Sequence, residues 1–275
     1  MDRSSSHVDP LVIAAEALAA LDQGRQIAPF SARYQGFDLD AAYRAAAHVR
    51  ALRCARGETP IGRKIGFTNS TIWAEYDVWA PIWGDCYDRT VRNAPTDGAA
   101  FGLRNLAEPR IEPEIVFGIA MAPAAGMDAA ALLDCIGWVA HGFEIVQSIF
   151  PGWKFAAADT VAAFGLHGAL LIGPRHEVAP RRQQWLATLA SFQIDLFCDG
   201  VIADRGRAAN VLGGPLLALR HLVEFLARDP AQPPLAAGEI VTTGTLTRAF
   251  PIVPGQTWST ALYGVALEGL AVRFD

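Results

Sequence analysis

The sequence has no block of concentrated basic charge and no long apolar run. Its 23 Lys and Arg residues and 28 Asp and Glu residues are dispersed and leave a net charge of −5, whereas nucleic-acid binding needs a concentrated basic face. No segment reaches the ~18 consecutive apolar residues of a transmembrane helix. The first ten residues also lack the charged-then-apolar order of a secretory signal. We therefore expect a soluble cytoplasmic protein with neither nucleic-acid nor membrane partners.

Several familiar catalytic motifs are also missing. The four cysteines are far apart and form no C-x-x-C pair, which argues against a zinc site and against a disulfide framework; they are Cys54, Cys86, Cys135 and Cys198. There is no G-x-S-x-G nucleophile motif, no phosphate-binding P-loop and no dinucleotide fingerprint. Reduced, mostly packed thiols are expected, and any chemistry must come from other side chains.

Enough apolar material is present for one large folded unit. Hydrophobic residues make up 52% and charged residues 19% of the 275 residues, which fits one domain or a core with an appendage. Asp9 and Pro10 are expected to begin a helix that ends near Gly24, and Asp40 is expected to cap a second, Ala-rich helix. These two helices predict an N-terminal helical cap over residues 1 to about 60.

After Gly62 the pattern changes to short β-type runs bounded by Gly, Pro and Asp. Examples are EIVFGIAM, FEIVQSI and FQIDLFC, which are rich in β-branched and aromatic residues. Two helical stretches interrupt these strands without a regular strand–helix–strand repeat. The pattern predicts an α+β fold with a rolled or sandwiched mixed sheet over residues 61–275.

Two glutamates open the most informative of these strands. In the segment PRIEPEIV from Pro109, the period of two puts Glu112 and Glu114 on the same face. Both lead into an apolar strand, where two uncompensated like charges are costly and a hard cation is a usual remedy. The E-x-E spacing alone is nevertheless more typical of a solvated pair on an edge strand.

A third acid changes the balance. Glu144 begins another apolar run, between Phe143 and Ile145, and a lone acid in such a run is rarely buried without a partner. Three carboxylates with water make an oxygen-only site suited to Mg²⁺ or Mn²⁺, with positions left open for a substrate. We predict a divalent metal site at Glu112, Glu114 and Glu144.

These motifs, in this order, resemble those of the fumarylacetoacetate hydrolase superfamily, and in particular its 2-oxopent-4-enoate hydratase and 4-oxalocrotonate decarboxylase branch. Matching segments run along nearly the whole chain and are GRKIGFT from Gly62, PRIEPE from Pro109, FEIV from Phe143, WK from Trp153, DTV from Asp159, VLGGP from Val211 and AGEIVTTGTLT from Ala237. The resemblance implies a homo-oligomeric mixed β-roll of this superfamily's type. It also implies that Glu112, Glu114 and Glu144 hold Mg²⁺ or Mn²⁺.

The resemblance implies further site residues. The family counterparts of Lys64 and Lys154 lie near the active site, where a cation can hold a carboxylate or manage a proton. The small residues Thr243-Gly244-Thr245 allow either a loop that presents N–H groups to a substrate carboxylate or a plain turn. For His167, a structural position is the favoured interpretation of a lone histidine, and a substrate contact with proton shuttling is the alternative.

One segment departs from the family pattern. The hydratases have Pro-Asp-Tyr-Gly where this chain has Pro81-Ile82-Trp83-Gly84, so Ile82 replaces an acid to which the family pattern gives a part in proton transfer. Asp85 follows three positions later and is the candidate substitute. The departure affects the hydration step more than the binding of metal and keto acid.

The resemblance therefore implies an enzyme of aromatic compound catabolism. Its reaction would be the addition of water to a small unsaturated 2-oxo acid of the 2-hydroxypenta-2,4-dienoate type, through a metal-stabilised enolate. Decarboxylation of a 4-oxalocrotonate and C–C hydrolysis of an acylpyruvate use the same metal site and stay open. A degenerate relative that only binds an oxo acid or serves as a partner subunit is a further alternative, against which the retained carboxylates and lysines argue.

Overall fold

The computed structural model describes residues 9–94 and 98–275 and combines helices with two sheets. The helices are α1 Pro10–Asp22, α2 Phe30–Arg33, α3 Leu39–Ala55, α4 Trp73–Tyr76, α5 Ala129–Asp134, α6 Ala157–Ala162, α7 Arg182–Thr188 and α8 Pro215–Arg228. The strands are β1 Pro60–Gly66, β2 Ile82–Tyr87, β3 Val91–Asn93, β4 Ala99–Phe101, β5 Arg110–Ile119, β6 Ile136–Val146, β7 His167–Ile172, β8 His176–Glu177, β9 Gln193–Cys198, β10 Val201–Arg207, β11 Ile240–Thr242, β12 Phe250–Pro251, β13 Thr257–Tyr263 and β14 Ala271–Phe274.

The larger sheet carries the candidate site. Seven of its nine strands follow the order β2-β1-β11-β5-β6-β7-β3, while β12 pairs with β5 and β8 pairs with β6. The antiparallel strands β5 and β6 are long, nearly continuously buried and central in this sheet, as expected of strands that are covered on both faces. The smaller sheet has the order β10-β9-β13-β14-β4. Both sheets mix parallel and antiparallel pairs, which confirms the predicted α+β class with a mixed sheet.

The N-terminal helices α1 and α3 begin at aspartate caps. The Asp9 carboxylate accepts a hydrogen bond from the Leu11 N–H at 2.9 Å and so caps α1. Helix α3 begins two residues earlier than predicted, because Asp38 accepts a hydrogen bond from the Ala41 N–H. The prediction that Asp40 caps this helix is therefore wrong. Asp40 instead lies in the first turn, where its charge complements the helix dipole.

These helices share one hydrophobic core with the larger sheet. Ile13 of α1, Phe30 of α2 and Val49 of α3 are buried in the same cluster as Ile65 of β1 and Phe117 of β5. The cluster therefore continues across residue 60. A division into a helical cap of residues 1–60 and a β-roll domain of residues 61–275 stays a proposal.

Two expectations drawn from composition can be set beside the structure. All four cysteines are free thiols: Cys86 and Cys135 are buried, Cys198 is half-buried and Cys54 is exposed. In residues 9–94 and 98–275, no helix combines the length and the apolar character that crossing a bilayer requires.

Candidate metal centre and active site

The three predicted glutamates converge on one face of the central strand pair. Alternation along β5 puts Glu112 and Glu114 on the same face, and the register of β5 with β6 puts Glu112 directly opposite Glu144. One carboxylate oxygen from each of the three lies within 4.8 Å of the other two. Glu114 and Glu144 are completely buried, and Glu112 reaches a cavity. The structure thus brings together all three side chains that the sequence singled out.

Burial makes this cluster electrostatically unbalanced. It raises the pKa of Glu112 to about 7 against the pull of Lys64, and the charge of Glu144 adds to the rise. Burial, with Glu144 and Glu112 beside it, also raises the pKa of Glu114 well above its ordinary value. Burial would raise the pKa of Glu144 as well, but Lys64 and His167 outweigh it and lower that pKa to about 2. Without a further cation, the Glu112–Glu114 pair cannot easily carry two negative charges.

Each buried carboxylate has one oxygen held by hydrogen bonds and one oxygen left free. Glu114 Oε2 accepts a hydrogen bond from the Gly244 N–H at 2.7 Å and another from the Thr242 hydroxyl. Glu144 Oε1 faces His167 Nδ1 at 2.7 Å. Among the described residues, Glu114 Oε1 and Glu144 Oε2 have no hydrogen-bond partner, although Lys64 Nζ approaches Glu144 Oε2 to 3.0 Å as an ion pair.

The oxygens without hydrogen-bond partners indicate whether the site suits a metal ion. Buried polar atoms are normally paired, so carboxylate oxygens without a hydrogen-bond partner in such a cluster indicate a ligand that the protein itself does not supply. Oxygen donors with excess negative charge are the ligand set that hard divalent cations prefer. The residues present therefore fit Mg²⁺ or Mn²⁺.

The cavity beside Glu112 is mostly apolar. Lys64, Glu112 and Thr245 are its charged or hydroxyl-bearing lining residues, and Glu112 belongs to the acidic cluster. The rest of the wall is made of backbone and of apolar or aromatic side chains, namely Phe67, Ile72, Tyr76, Val146, Trp153, Leu166 and Ala249. A mostly apolar wall with a few charged groups is the chemistry that suits a short hydrocarbon chain with a charged end.

The loop after β11 contributes through its backbone more than through its hydroxyl groups. The Gly244 N–H is used by Glu114, and the Thr243 hydroxyl donates to the carbonyl of Ile115. The Thr245 hydroxyl donates to the carbonyl of Thr247, and Thr245 lines the cavity. The predicted segment is therefore at the site, but its glycine holds a carboxylate of the protein, and whether any of the three contacts a substrate stays a prediction.

Two of the proposed catalytic residues do not join the cluster. Asp85 pairs in register with Arg63 on β1, next to the pairing of Gly84 with Lys64, so it projects from the opposite face of β2. There its carboxylate lies 2.8 Å from Arg50 and 3.3 Å from Arg63. The expectation that Asp85 replaces the acid lost at position 82 therefore has no geometric support. The Lys154 side chain is exposed and has no ion pair within the described ranges.

Sequence reasoning missed three neighbours of the site, namely Thr242, Thr90 and Arg110. Arg110 donates a hydrogen bond to the Tyr76 hydroxyl at 2.6 Å, and its guanidinium lies 4.3 Å from the centre of the Trp153 ring. The sequence does indicate Arg110, because it precedes Glu112 by two positions and therefore lies on the same face of the strand. Of the aromatic residues between positions 73 and 83, Tyr76 lines the cavity, whereas Trp79 is 62% exposed and Trp83 stacks on Tyr43.

Comparison with models of known protein families found no match. The chain is 30% identical to 2-hydroxyhexa-2,4-dienoate hydratase of Comamonas testosteroni over 249 residues, which cover 90% of each chain. It is 28% identical to 2-keto-4-pentenoate hydratase of Burkholderia vietnamiensis, over 92% of this chain and 93% of the relative.

Two solved structures share the fold. The 4-oxalocrotonate decarboxylase of Pseudomonas putida G7, solved with magnesium and adipate, superposes with a TM-score of 0.87 over the whole of both chains at 23% identity. The fumarylpyruvate hydrolase of Pseudomonas aeruginosa, solved with Mn²⁺ and pyruvate, has a TM-score of 0.58 at 15% identity over 78% of this chain and 88% of that one. The chain belongs to the fumarylacetoacetate hydrolase superfamily, in its 2-oxopent-4-enoate hydratase and 4-oxalocrotonate decarboxylase branch.

Proposed function

We propose that this protein is a metal-dependent hydro-lyase that adds water to a small unsaturated 2-oxo acid of the 2-hydroxypenta-2,4-dienoate type. The observation that carries the proposal is the convergence of Glu112, Glu114 and Glu144 beside a mostly apolar cavity that Glu112 lines. The hydratase names of relatives that cover about nine-tenths of the chain support the same reaction class.

Glu112, Glu114 and Glu144 would hold Mg²⁺ or Mn²⁺, ions that are present in solved structures of this fold. When bound, such a cation supplies Lewis-acid polarisation of the carboxylate and 2-oxo oxygens of the substrate. Glu114 Oε1 and Glu144 Oε2 make no hydrogen bond within the described residues, which supports them as ligand atoms.

Lys64 is the protein's own cation at the site. Burial would lower the pKa of its ammonium, but Glu144, Glu112 and Glu114 outweigh burial and keep that pKa above its ordinary value. Lys64 therefore carries its proton, and its position in the cavity wall allows its ammonium to donate a hydrogen bond to an oxygen of the substrate. The apolar wall meanwhile limits the access of bulk water and strengthens these charge interactions.

Two other reactions remain candidates because of position 82. Ile82 is 3% exposed and occupies the place of the family's acid on the Lys64 side of β2, so the chain lacks one proton-transfer group of the hydratase pattern. Decarboxylation of a 4-oxalocrotonate and C–C hydrolysis of an acylpyruvate use the same metal-binding end and make different demands on that group.

A direct assay separates these reactions. The purified protein is treated with a chelator, returned to Mg²⁺ and given in turn a dienol acid, an oxalocrotonate and an acylpyruvate. The proposal predicts Mg²⁺-dependent loss of the dienol acid as the fastest reaction. Turnover that persists after complete removal of divalent metal would overturn the metal-dependent mechanism, and a faster reaction with either other substrate would replace hydration by that activity.

We further propose that the protein is a cytoplasmic homo-oligomer. The family resemblance suggests self-association, and the edge strand β10 carries Val201 and Ile202, which are 71% and 42% exposed. Exposed aliphatic residues on a sheet edge are typical of a contact surface. Light scattering of the purified protein tests the proposed oligomerisation, and a monomer at micromolar concentration would contradict it.

A further inference from the structure

A line of three side chains leads from the acidic cluster into the interior. His167 Nδ1 lies 2.7 Å from Glu144 Oε1, and His167 Nε2 lies 2.8 Å from Thr90 Oγ1. The side chains of Glu144 and His167 have no solvent exposure. We propose that His167, anchored by Thr90, is a positioning residue that fixes the Glu144 carboxylate for metal binding. This inference rests on the metal centre of the proposed function.

The hydrogen bonds show which nitrogen of His167 donates to Glu144. An ionised carboxylate can only accept hydrogen bonds, so His167 Nδ1 donates to Glu144 Oε1. With the proton on Nδ1, His167 Nε2 accepts the hydrogen of the Thr90 hydroxyl at 2.8 Å. Thr90 Oγ1 is fixed in turn by Tyr87, because it accepts a hydrogen bond from the Tyr87 N–H at 3.3 Å. The imidazole is therefore held at both nitrogens, and its ring cannot turn without losing a buried hydrogen bond.

His167 acts through Glu144 and not on a substrate. It is 2% exposed and does not line the cavity that contains Lys64 and Glu112. The sequence-based alternative, a substrate contact with proton shuttling, would require it to reach that cavity. The structure instead places the ring against Glu144 Oε1, while Glu144 Oε2 has no hydrogen-bond partner among the described residues.

The consequence concerns competition between a metal ion and Lys64. With Oε1 held by His167, Glu144 Oε2 is the oxygen that stays available to a cation, and Lys64 Nζ lies 3.0 Å from it. If the hold on Oε1 is lost, the carboxylate is free to turn both oxygens toward the ammonium. The ion pair then competes with the metal ion for Glu144. Removing such a partner of a ligand typically weakens metal binding by ~10–100-fold.

Calorimetric titration of the substrate-free protein with Mg²⁺, and separately with Mn²⁺, tests the proposal without relying on turnover. His167→Phe keeps a ring but removes the donor, and we expect its Kd to rise ~10–100-fold. His167→Asn offers an amide N–H near the position of Nδ1 and should recover most of the affinity. Thr90→Val should weaken binding in the same direction, and Thr90→Ser should restore it.

The matched control is His176→Phe, which removes the ring nitrogens in the same way as His167→Phe. His176 makes a similar 2.7 Å contact with Glu268 at the surface, away from the cluster, so its loss should leave the Kd unchanged. Thermal melts check folding, and if His167→Phe does not fold, the Thr90→Val and Thr90→Ser pair decides the question. Near-equal metal affinity in the wild type and either donor-free variant overturns the inference. A wild type that binds neither ion would instead overturn the proposed metal centre and the inference with it.

Discussion

The Gly244 backbone and the Glu114 carboxylate are joined by a hydrogen bond that no residue with a side chain could make in the same conformation. Gly244 has φ +98°, in the left-handed region. A Cβ at this position would lie 1.8 Å from Thr68 Oγ1 and 3.0 Å from the Ile65 carbonyl oxygen. The absence of a side chain is what allows the loop after β11 to approach β1 and hold Glu114 through its N–H.

Gly244→Ala should therefore lower both stability and metal affinity. The left-handed backbone alone costs ~1–2 kcal/mol for a residue with a Cβ, and the overlap with Thr68 adds ~1–3 kcal/mol of overpacking. The free energy of unfolding is measured with urea, and Mg²⁺ binding is measured by calorimetry.

Gly238→Ala is the matched control for this change. Gly238 has φ +91°, but a Cβ there meets nothing within 4 Å, so this variant carries the backbone cost without the steric overlap. We expect it to lose less stability and to keep its metal affinity. Equal losses in the two variants would mean that the close approach to Thr68 contributes nothing.

Glu114→Gln should abolish metal-dependent turnover while leaving the metal-free fold at least as stable. The substitution keeps the volume and an acceptor oxygen for the Gly244 N–H but removes a negative ligand. Because burial and the neighbouring carboxylates raise the pKa of Glu114, its charge opposes folding. Activity, Mg²⁺ affinity and the melting temperature without metal are compared with those of Glu177→Gln, a change at an exposed strand glutamate. Wild-type activity of Glu114→Gln at limiting Mg²⁺ would show that the ligand assignment is wrong.

Some contacts at the site can be predicted from the alternation of side chains along a strand, whereas others depend on the tertiary structure. Alternation along β5 is enough to place Glu112 and Glu114 on one face. It does not predict that Glu112 lies opposite Glu144, because α5 and its flanking loops separate β5 from β6 and hide their register. The contact of Thr90 with His167 is equally non-local, since it joins a turn to the start of a later strand.

The sequence alone already argues against Asp85 as a substitute for the acid missing at position 82. An acid three positions after Ile82 lies on the opposite face of a strand, so a β assignment for this segment already excludes the substitution. A similar argument would have added Arg110, whose position two residues before Glu112 places it on the metal-binding face. The helix cap at Asp38 was missed for a different reason, since two aspartates lie within three residues and both suit a helix start.

His141 should make stability depend on pH between about 4 and 6.5. Burial lowers its pKa from 6.5 to about 4, against the hydrogen bond with the Glu114 carbonyl. The unfolded chain binds the proton more tightly in this window, so the contribution is complete above pH 6.5 and is lost as the pH falls toward 4. The full shift corresponds to a loss of up to ~3 kcal/mol.

Urea unfolding at several pH values between 7 and 4.5 measures this dependence. His141→Gln cannot titrate in the window and should show a flatter profile than the wild type. The difference between the two profiles is the informative quantity, because the raised pKa of Glu112 acts with the opposite sign and is common to both. Parallel profiles would mean that the pKa of His141 is the same in the folded and the unfolded chain, which would contradict the prediction.

Ile82 lies where a restored acid could act. On β2 it pairs with Gly66, and Gly84 pairs with Lys64 two positions along, so Ile82 projects on the same face as the lysine. Its Cγ1 lies 3.1 Å from the point where a Cβ on Gly66 would stand, and the Lys64 Cε lies 3.7 Å from that point. A carboxylate at position 82 would therefore be within reach of the Lys64 ammonium.

Ile82→Asp should raise hydratase activity on 2-hydroxypenta-2,4-dienoate if the wild type is slow for want of this group. A positioned acid or base is worth ~10²–10⁴-fold in rate. Burying the carboxylate in a site shaped for Ile should also cost ~2–4 kcal/mol of stability, partly offset by Lys64, so a thermal melt must accompany the assay.

Ile82→Asn is the matched control, because it has the shape of Asp without the ability to exchange a proton, and it should gain nothing. Fast hydration by the wild type would show that another group, such as Lys64 or a bound water, already manages the proton. A folded Ile82→Asp variant without a gain would indicate a pocket remodelled for different chemistry, which would favour decarboxylation or C–C hydrolysis over hydration.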